Sequence, residues 1–251
     1  MNLEEKINLA VKWILESERL VIFTGAGIST DSGIPDYRGP NGVWTRRVKG
    51  LPPPTPKVPW DQVQPNPNHY YVVELLKLGK LDYVISQNVD GLHAKSGIPF
   101  ELLSELHGNR YFMKCLKCNK KMTFEDAGWD KRIWGPGYRT DSIQKGQPRC
   151  PYCSGRIISS IVNFGDPLPY DELDESYRRS EKADVFFVIG SSLVVSPAAD
   201  MPGIAKKNGA KLIILNKGET PYDYFVDLRF DNYIQEVFPP IVEKVKEILT
   251  K

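Results

Sequence analysis

The 251-residue chain contains 33 basic and 31 acidic residues, which give a formal net charge of +2. This balance is too close to neutral to indicate direct binding to nucleic acid. A chain of this length can bury a substantial core and can hold one large domain with a smaller domain inserted into it.

The amino-terminal segment is predicted to form an amphipathic helix. Asn2 and Glu5 can form a capping box, and Ile7, Val11 and Ile14 fall on one helical face. The segment lacks the basic start and unbroken apolar core of a signal peptide, and no stretch of the chain is apolar for long enough to span a bilayer. We therefore expect a cytoplasmic protein that does not associate with membranes.

Apolar runs alternate with helical patterns along the rest of the chain. Continuous apolar runs predict parallel strands at residues 20–24, 82–86, 157–164, 184–189 and 211–215, and an alternating run at 225–230 suits an edge strand. Helices are expected at about 68–78, 170–181, 198–207 and 234–249. This alternation predicts an α/β fold with a doubly wound, Rossmann-like parallel sheet that binds ligands at the carboxyl ends of its strands.

The loop after the first strand, residues 25–38, has the sequence GAGISTDSGIPDYR. Gly25 and Gly27 lack a Cβ, so their backbone N–H groups can approach a pyrophosphate closely. The third glycine of the dehydrogenase motif is replaced by Thr30, and no acidic residue closes a second strand about twenty residues later. The loop therefore predicts a bound nucleotide that serves a purpose other than hydride transfer.

Residues 39–67 contain too many prolines for regular structure. Such a segment can be a linker or a mobile loop beside the site. We favour the loop, because the segment leaves directly from the nucleotide motif.

All four cysteines lie in a second interruption of the α/β pattern, as Cys115-x-x-Cys118 and Cys150-x-x-Cys153. A redox CxxC motif would not need a second pair, and disulfides are disfavoured in a reducing compartment. Two such pairs can converge on one tetrahedral zinc, and four thiolates leave no open position for a catalytic water. We predict a structural zinc site in a small domain over residues 109–156, with 39–75 as a flexible loop and helical insertion. The Rossmann-like domain would then comprise residues 1–38, 76–108 and 157–251.

Three polar clusters follow apolar stretches, where ligands of such a sheet bind: residues 87–93 (QNVDGLH), 105–109 (ELHGN) and 190–197 (GSSLVVSP). The chain has three histidines. His107 is the candidate general base, because it lies between a strand end and Gly108, where its side chain can face a ligand. His69 is expected to have an exposed, cap-region role at a helix start, and His93 either orients ribose contacts or makes a structural hydrogen bond.

In combination, these motifs resemble those of the sirtuins, the NAD-dependent protein lysine deacylases. The resemblance covers about residues 20–220 and includes the glycine loop, QNVDGLH, ELHG, the paired CxxC motifs, FGD followed by proline, and GSSLVVSPAA. The GPNGVW segment at 39–44 is most similar to the branch that includes the nuclear chromatin-associated sirtuins.

This resemblance implies an enzyme that uses NAD and a structural zinc to deacetylate or deacylate lysines of a protein or peptide. The products would be nicotinamide and O-acyl-ADP-ribose. His107 would act as general base, since an imidazole works near neutral pH. Asn88 and Asp90 would grip the nicotinamide ribose and the carboxamide end.

The resemblance also implies a set of residues that contact NAD. Gly25, Ala26 and Gly27 would cradle the pyrophosphate, and Asn216 would hold the adenosine ribose. The full set is Gly25, Ala26, Gly27, Ile28, Asp36, Tyr37, Arg38, Gln87, Asn88, Asp90, Gly190, Ser191, Ser192, Asn216, Lys217 and Gly218.

The substrate would lie beside Val162, Phe164, Gly165, Asp166 and Val195, where an extended peptide can pair with exposed backbone edges. Val162 and Phe164 can line an apolar tunnel for the lysine stem or be part of the core. Two positions depart from the usual family pattern: Tyr37 replaces phenylalanine, and Asp166 replaces glutamate. We expect a short or apolar acyl group.

Two other functions are compatible with the same residues. A mono-ADP-ribosyltransferase would need the same grip on NAD, and a non-catalytic sensor of NAD or ADP-ribose would not need His107.

Overall fold

The computed structural model describes residues 1–251 and contains nine strands in two sheets. The strands are β1 (Leu20–Thr24), β2 (Leu81–Ser86), β3 (Leu103–Glu105), β4 (Phe112–Cys115), β5 (Lys121–Thr123), β6 (Ile157–Ser159), β7 (Val185–Ile189), β8 (Lys211–Leu215) and β9 (Leu228–Phe230). The larger sheet has the order β3-β2-β1-β7-β8-β9, and all its strands are parallel. This is the strand order of a doubly wound Rossmann-like fold, which confirms the predicted fold class.

Eight α-helices connect and cover the strands. They are α1 (Leu3–Glu16), α2 (Val43–Val48), α3 (Pro67–Lys77), α4 (Leu92–Ser96), α5 (Lys131–Trp134), α6 (Tyr170–Lys182), α7 (Met201–Lys207) and α8 (Ile234–Leu249). Helices α1, α3 and α8 pack on one face of the parallel sheet, and α6 and α7 pack on the other. Because both faces are covered, a central strand such as β1 is buried at every residue.

Most of the predicted elements are confirmed. Strands β1 and β8 and helix α8 have the predicted bounds, and the edge strand expected near residues 225–230 is β9, which pairs parallel with β8. Helix α1 begins with the predicted capping box, since Asn2 and Glu5 each accept a hydrogen bond from the other's backbone N–H.

The prediction of a parallel strand over residues 157–164 is wrong. Only β6 forms there, and it pairs antiparallel with β4 in the smaller sheet, whose order is β5-β4-β6. An apolar run indicates burial but not its pairing partner, and here the partner is a strand of the cysteine-containing segment. A second small core, with Met113, Met122, Trp129 and Ile157, lies within this smaller sheet. The division of the chain into domains stays a prediction.

The proline-rich segment contains α2, which the sequence did not indicate, although its other residues have no regular structure up to α3. None of the helices has both the length and the apolar character needed to cross a bilayer.

Candidate active site

The carboxyl ends of four parallel strands bring the predicted site residues to one edge of the sheet. Thr24, the last residue of β1, is in register with Ser86 of β2 and Ile189 of β7, and Ser86 is in register with Glu105 of β3. The glycine loop and the three polar clusters each begin at or directly after one of these strand ends. The glycine loop and the polar clusters therefore lie along one edge of the parallel sheet, as expected.

The glycine loop crosses the loop after β7 at backbone contact distance. The Gly27 N–H donates to the Gly190 carbonyl at 2.9 Å. A Cβ on Gly25 would lie 2.6 Å from the Gly190 oxygen, and a Cβ on Gly27 would lie 2.7 Å from the Gly190 Cα. Gly190 itself has a φ of +66°, which L-residues with side chains rarely adopt. Only glycine fits at this crossing.

This crossing fits the phosphates of a dinucleotide. A short 3-10 helix, Ala26–Ser32, begins at Gly25 without a side-chain cap. The N–H groups of Gly25 and Gly27 donate to the carbonyls of Ile189 and Gly190, which leaves the Ala26 N–H as the unbonded donor of this turn. A free N–H at a glycine turn favours an anion. Ser191 lies on the other side of the crossing, with its Oγ accepting a hydrogen bond from Gln87 at 2.6 Å.

Replacing Gly27 with alanine is expected to weaken NAD binding and destabilise the protein by about 1–3 kcal/mol, because the new methyl group meets backbone rather than a movable side chain. Calorimetric titration with NAD and thermal unfolding measure the two effects. Wild-type NAD affinity in Gly27→Ala would contradict the assignment of this crossing to the cofactor.

Asn88 and Asp90 converge on Ser29, a residue that the sequence reasoning did not single out. The Ser29 hydroxyl donates to Asp90 Oδ2 at 2.7 Å, and the Asn88 amide donates to Ser29 Oγ at 3.2 Å and to the Gly25 carbonyl at 3.1 Å. Burial raises the pKa of Asp90, while the Leu92 N–H and the Ser29 hydroxyl lower it. The glycine loop and the QNVDGLH loop are thus joined through side chains.

His69 and His93 lie together beneath this network, with ring centroids 5.1 Å apart. The expected cap-region role of His69 is confirmed, because its Nδ1 accepts a hydrogen bond from the N–H of the N-cap residue Asn66 at the start of α3. The expectation that His69 is exposed is wrong, since the residue is fully buried. His93 Nε2 lies 2.9 Å from Thr24 Oγ1, which supports the structural alternative. Burial lowers the pKa of both rings, to about 4 for His93.

His107 follows β3 and lies over the end of β2. Its Nδ1 lies 2.8 Å from the Gln87 carbonyl oxygen. A carbonyl only accepts hydrogen bonds, so Nδ1 carries the proton and Nε2 keeps its lone pair. Burial lowers the pKa of His107, the Gln87 hydrogen bond raises it, and the nearby Arg38 charge lowers it again. The net shift is downward, so the imidazole is neutral at pH 7 and can accept a proton.

An aromatic cluster lies beside the loop that carries Arg38. The Tyr37 and Trp44 rings stack at 6.4 Å, and Phe164 lies 6.4 Å from the first and 5.8 Å from the second. The Arg38 guanidinium lies 5.0 Å from the Tyr37 ring centre. Phe164 is 63% exposed, so the core alternative does not hold for it. Trp44, from α2, was not singled out from the sequence.

Other predicted residues mostly hydrogen-bond within their own loops. The Asp36 carboxylate accepts from the Gly39 N–H at 2.8 Å, and the Asn216 amide donates to the carbonyls of Lys217 and Gly218 in the turn after β8. The Val162 N–H donates to the His107 carbonyl at 2.9 Å. This bond brings the predicted substrate segment next to the predicted base.

The remaining predicted contacts occupy the same loops. Ile28 is buried in the glycine loop, Ser192 and Val195 follow β7, and Gly165 lies between Phe164 and Asp166. Asp166 accepts a hydrogen bond from the Asn163 N–H at 3.2 Å and lies 3.8 Å from Arg139.

The four cysteines form one cluster at the smaller sheet. Their sulfur atoms all lie within 4.8 Å of one another, with Cys115 and Cys153 at 3.5 Å and Cys118 and Cys150 at 3.7 Å. These distances are too long for disulfides, and they suit a tetrahedron with Zn–S bonds of about 2.3 Å. A Cβ on Gly155 would lie 2.9 Å from the Cys115 sulfur, so the knuckle needs glycine there. The cluster fits a structural zinc.

Comparison with known proteins gives concordant matches. A family model described as the Sir2 family matches residues 53–197. The chain is 39% identical to NAD-dependent protein deacetylase 1 of Pyrobaculum aerophilum, and the match covers 98% of this chain and 97% of that protein.

Two solved structures extend these matches to ligands. A Sir2 histidine-to-alanine variant with deacetylated p53 peptide and 3′-O-acetyl-ADP-ribose has a TM-score of 0.73 at 34% identity, covering 97% of this chain and 98% of that chain. Sir2Af2 bound to a myristoylated histone peptide has a TM-score of 0.68 at 33% identity, covering 98% and 99%.

Proposed function

The chain belongs to the Sir2 family, and from that premise we propose which of its residues carry out NAD-dependent removal of acyl groups from protein lysines. The protein is an NAD-dependent protein deacetylase or deacylase that releases nicotinamide and O-acyl-ADP-ribose. One observation carries the assignment of the base: the hydrogen bond from His107 Nδ1 to the Gln87 carbonyl leaves Nε2 free at the sheet edge that holds the glycine crossing.

NAD, when bound, supplies an ADP-ribosyl group that accepts the acyl group. Its pyrophosphate would lie at the crossing of Gly25, Gly27 and Gly190, within reach of the Ala26 N–H and the hydroxyl of Ser191. The turn that begins at Asn216 would hold the adenosine ribose. Because no side chain fits at the crossing of the glycine loop and the loop after β7, backbone can approach the phosphates there, which supports this placement of the pyrophosphate.

The other end of the cofactor would lie against Asn88 and Asp90. Ser29 positions both side chains, since it accepts from the Asn88 amide and donates to the Asp90 carboxylate. Because the Asn88 amide also donates to the Gly25 carbonyl, a hydrogen bond connects the glycine loop to the residues proposed to contact the nicotinamide ribose.

His107 acts as the general base in this scheme. Its neutral Nε2 takes a proton from a hydroxyl group held at the sheet edge, while Nδ1–H remains bonded to the Gln87 carbonyl. That carbonyl stabilises the imidazolium, since it raises the pKa of the ring against the lowering effects of burial and Arg38. His107 is therefore neutral before the reaction, and its protonated form is stabilised after it accepts the proton.

The substrate is an acyl-lysine protein or peptide. We propose that its lysine stem passes the Phe164 ring and Val162, and that its backbone pairs with the segments at Gly165–Asp166 and Val195. Apolar and aromatic walls favour a short or apolar acyl group over an acidic one. We also place the protein in the cytoplasm, where the four thiolates stay reduced.

Tyr37 is expected to act through its ring rather than its hydroxyl. Tyr37→Phe should keep kcat close to wild type, because the stacking on Trp44 and Phe164 is unchanged. Tyr37→Ala removes aromatic pairs of about 0.5–1.5 kcal/mol each and should raise the KM for acyl peptide by about 2- to 10-fold. Steady-state kinetics compare the two variants, and a large loss in Tyr37→Phe would contradict this role.

Mass spectrometry of an acyl-lysine peptide incubated with and without NAD tests the function. Loss of the acyl group only when NAD is present supports deacylation. Gain of ADP-ribose by the peptide, with its acyl group retained, would instead indicate a mono-ADP-ribosyltransferase. An unchanged peptide and unconsumed NAD would indicate a sensor. A series of acyl lengths in the same assay defines the preferred group.

A further inference from the structure

Glu105, the last residue of β3, carries a buried carboxyl that the proposed mechanism does not use. It is 3% exposed, and its Oε1 accepts a hydrogen bond from the Asn109 amide at 2.7 Å. Its Oε2 is buried without any hydrogen-bond partner. An unpaired buried oxygen of this kind is costly, so its presence two residues before His107 requires a reason.

Asn109 joins the segment that carries His107 to the segment that carries Asp90. Besides donating to Glu105, its side chain lies next to Gly91, where a Cβ would be 3.0 Å from the Asn109 amide nitrogen. The next residue, Arg110, donates its N–H to the Val89 carbonyl at 2.9 Å. The two segments therefore meet at Asn109.

The segment 105–109 is also held from the outside at both ends. The Glu105 N–H donates to a carboxylate oxygen of Glu172 in α6 at 2.7 Å, and Glu172 forms an ion pair with Lys121 of β5. At the other end, the Ser160 hydroxyl donates to the Asn109 carbonyl at 2.6 Å and accepts from the Asn109 N–H at 3.1 Å. The Glu105–Asn109 bond closes the segment between these two anchors.

We propose that Glu105 is a positioning residue: acting through Asn109, its carboxyl holds the segment of His107 in a fixed placement against the segment of Asn88 and Asp90. This inference rests on the proposed function, because it takes His107 as the base. A carboxylate accepts the amide hydrogen bond more strongly than a neutral carboxyl group. The clamp is therefore tighter when Glu105 is ionised.

The burial of Glu105 places this ionisation in the working pH range. Burial raises the pKa of Glu105 to about 7, with Lys121 and the Asn109 amide lowering it and Glu172 and Asp90 raising it. These groups face Glu105 from β5, from its own segment, from α6 and from the loop after β2. The pKa of His107 is lowered below its ordinary value, so the base loses its proton before Glu105 does. The rate should rise with pH in two steps, the lower from His107 and the upper from Glu105.

The test compares pH profiles of kcat for wild type, Glu105→Gln and the control Glu101→Gln, which makes the same charge change at an exposed residue nearby. Wild type and Glu101→Gln should show both steps. Glu105→Gln keeps an oxygen acceptor for Asn109 but cannot ionise, so it should lose the upper step. A profile of Glu105→Gln that matches wild type would overturn the proposal.

A second variant and a measurement on the free protein complete the test. Asn109→Ala should lower kcat on the order of 10- to 100-fold with little change in the KM for peptide, because it misplaces the base rather than the substrate. In ¹³C NMR without NAD, the Glu105 carboxyl should titrate near the pH of the upper step. Its pKa should rise in Asn109→Ala, since the amide that favours the carboxylate is lost.

These measurements separate the two proposals. A wild-type protein with no deacylase activity would contradict the proposed function, while the carboxyl titration would still test the clamp. An unchanged Glu105 titration in Asn109→Ala would contradict the clamp even if the enzyme is active.

Discussion

Replacing His107 with alanine is expected to lower kcat for deacylation by about two to four orders of magnitude, the usual contribution of a general base. His107 is the only histidine of the three whose ring nitrogen faces the sheet edge with a free lone pair, since His69 and His93 are buried against each other. No neighbouring group replaces it: Arg38 has no lone pair to offer, and Asp90 is already bonded to Ser29 and Leu92. Kinetics with an acetylated peptide at saturating NAD measure the loss.

NAD binding provides the internal control for this variant. The glycine crossing does not include His107, so His107→Ala should bind NAD with close to wild-type affinity by calorimetric titration. Added imidazole should restore part of the rate by entering the space that the side chain leaves. Wild-type kcat in His107→Ala would contradict the assignment of the base.

Replacing Cys118 with serine is expected to release zinc, unfold the smaller sheet and abolish deacylation. Structural zinc binding contributes about 10–16 kcal/mol in small zinc peptides, which is comparable to the whole free energy of unfolding of a typical domain, about 5–15 kcal/mol. The core of the smaller sheet contains few residues, so it cannot replace this contribution. The zinc content measured by mass spectrometry, the thermal unfolding temperature and the deacylation rate should all fall together.

The loss of zinc should disturb the active site through β6. The chain leaves β6 at Ser160, whose hydroxyl holds Asn109, and then reaches Val162, which bonds to the His107 carbonyl. Tyr152→Ser is the control, because Tyr152 is an exposed residue of the other cysteine pair, between Cys150 and Cys153. Unchanged unfolding and activity in a zinc-free Cys118→Ser protein would contradict a structural role for the metal.

The central strands and the long helices can be predicted from the sequence because their signals are local. The run Leu20–Phe23 is apolar, as a strand covered on both faces must be, and α8 repeats its apolar residues at helical spacing. The cysteine pairs likewise predict their own convergence, because few other chemistries need two CxxC motifs. In each case, residues close to one another in the sequence are enough to predict the structure.

The errors arise where distant residues decide the structure. His69 lies at a helix start, a position that is usually exposed, but the glycine loop and α4 cover it. The segment that begins with β6 is apolar, as in a buried parallel strand, but β6 pairs antiparallel with β4 in the smaller sheet. Ser29 and Glu105 were not singled out because their roles depend on Asp90 and Asn109, which contact them only after folding. The similarity of GPNGVW to the nuclear branch stays a prediction.

Transfer of an isotopically labelled acetyl group tests the central claim most directly. The protein is incubated with NAD and a peptide whose lysine carries labelled acetyl, and all products are followed by mass spectrometry. We expect one labelled acetyl-ADP-ribose and one nicotinamide for every lysine freed. Labelled free acetate released without consumption of NAD, or a peptide that keeps its acetyl group and gains ADP-ribose, would contradict the account.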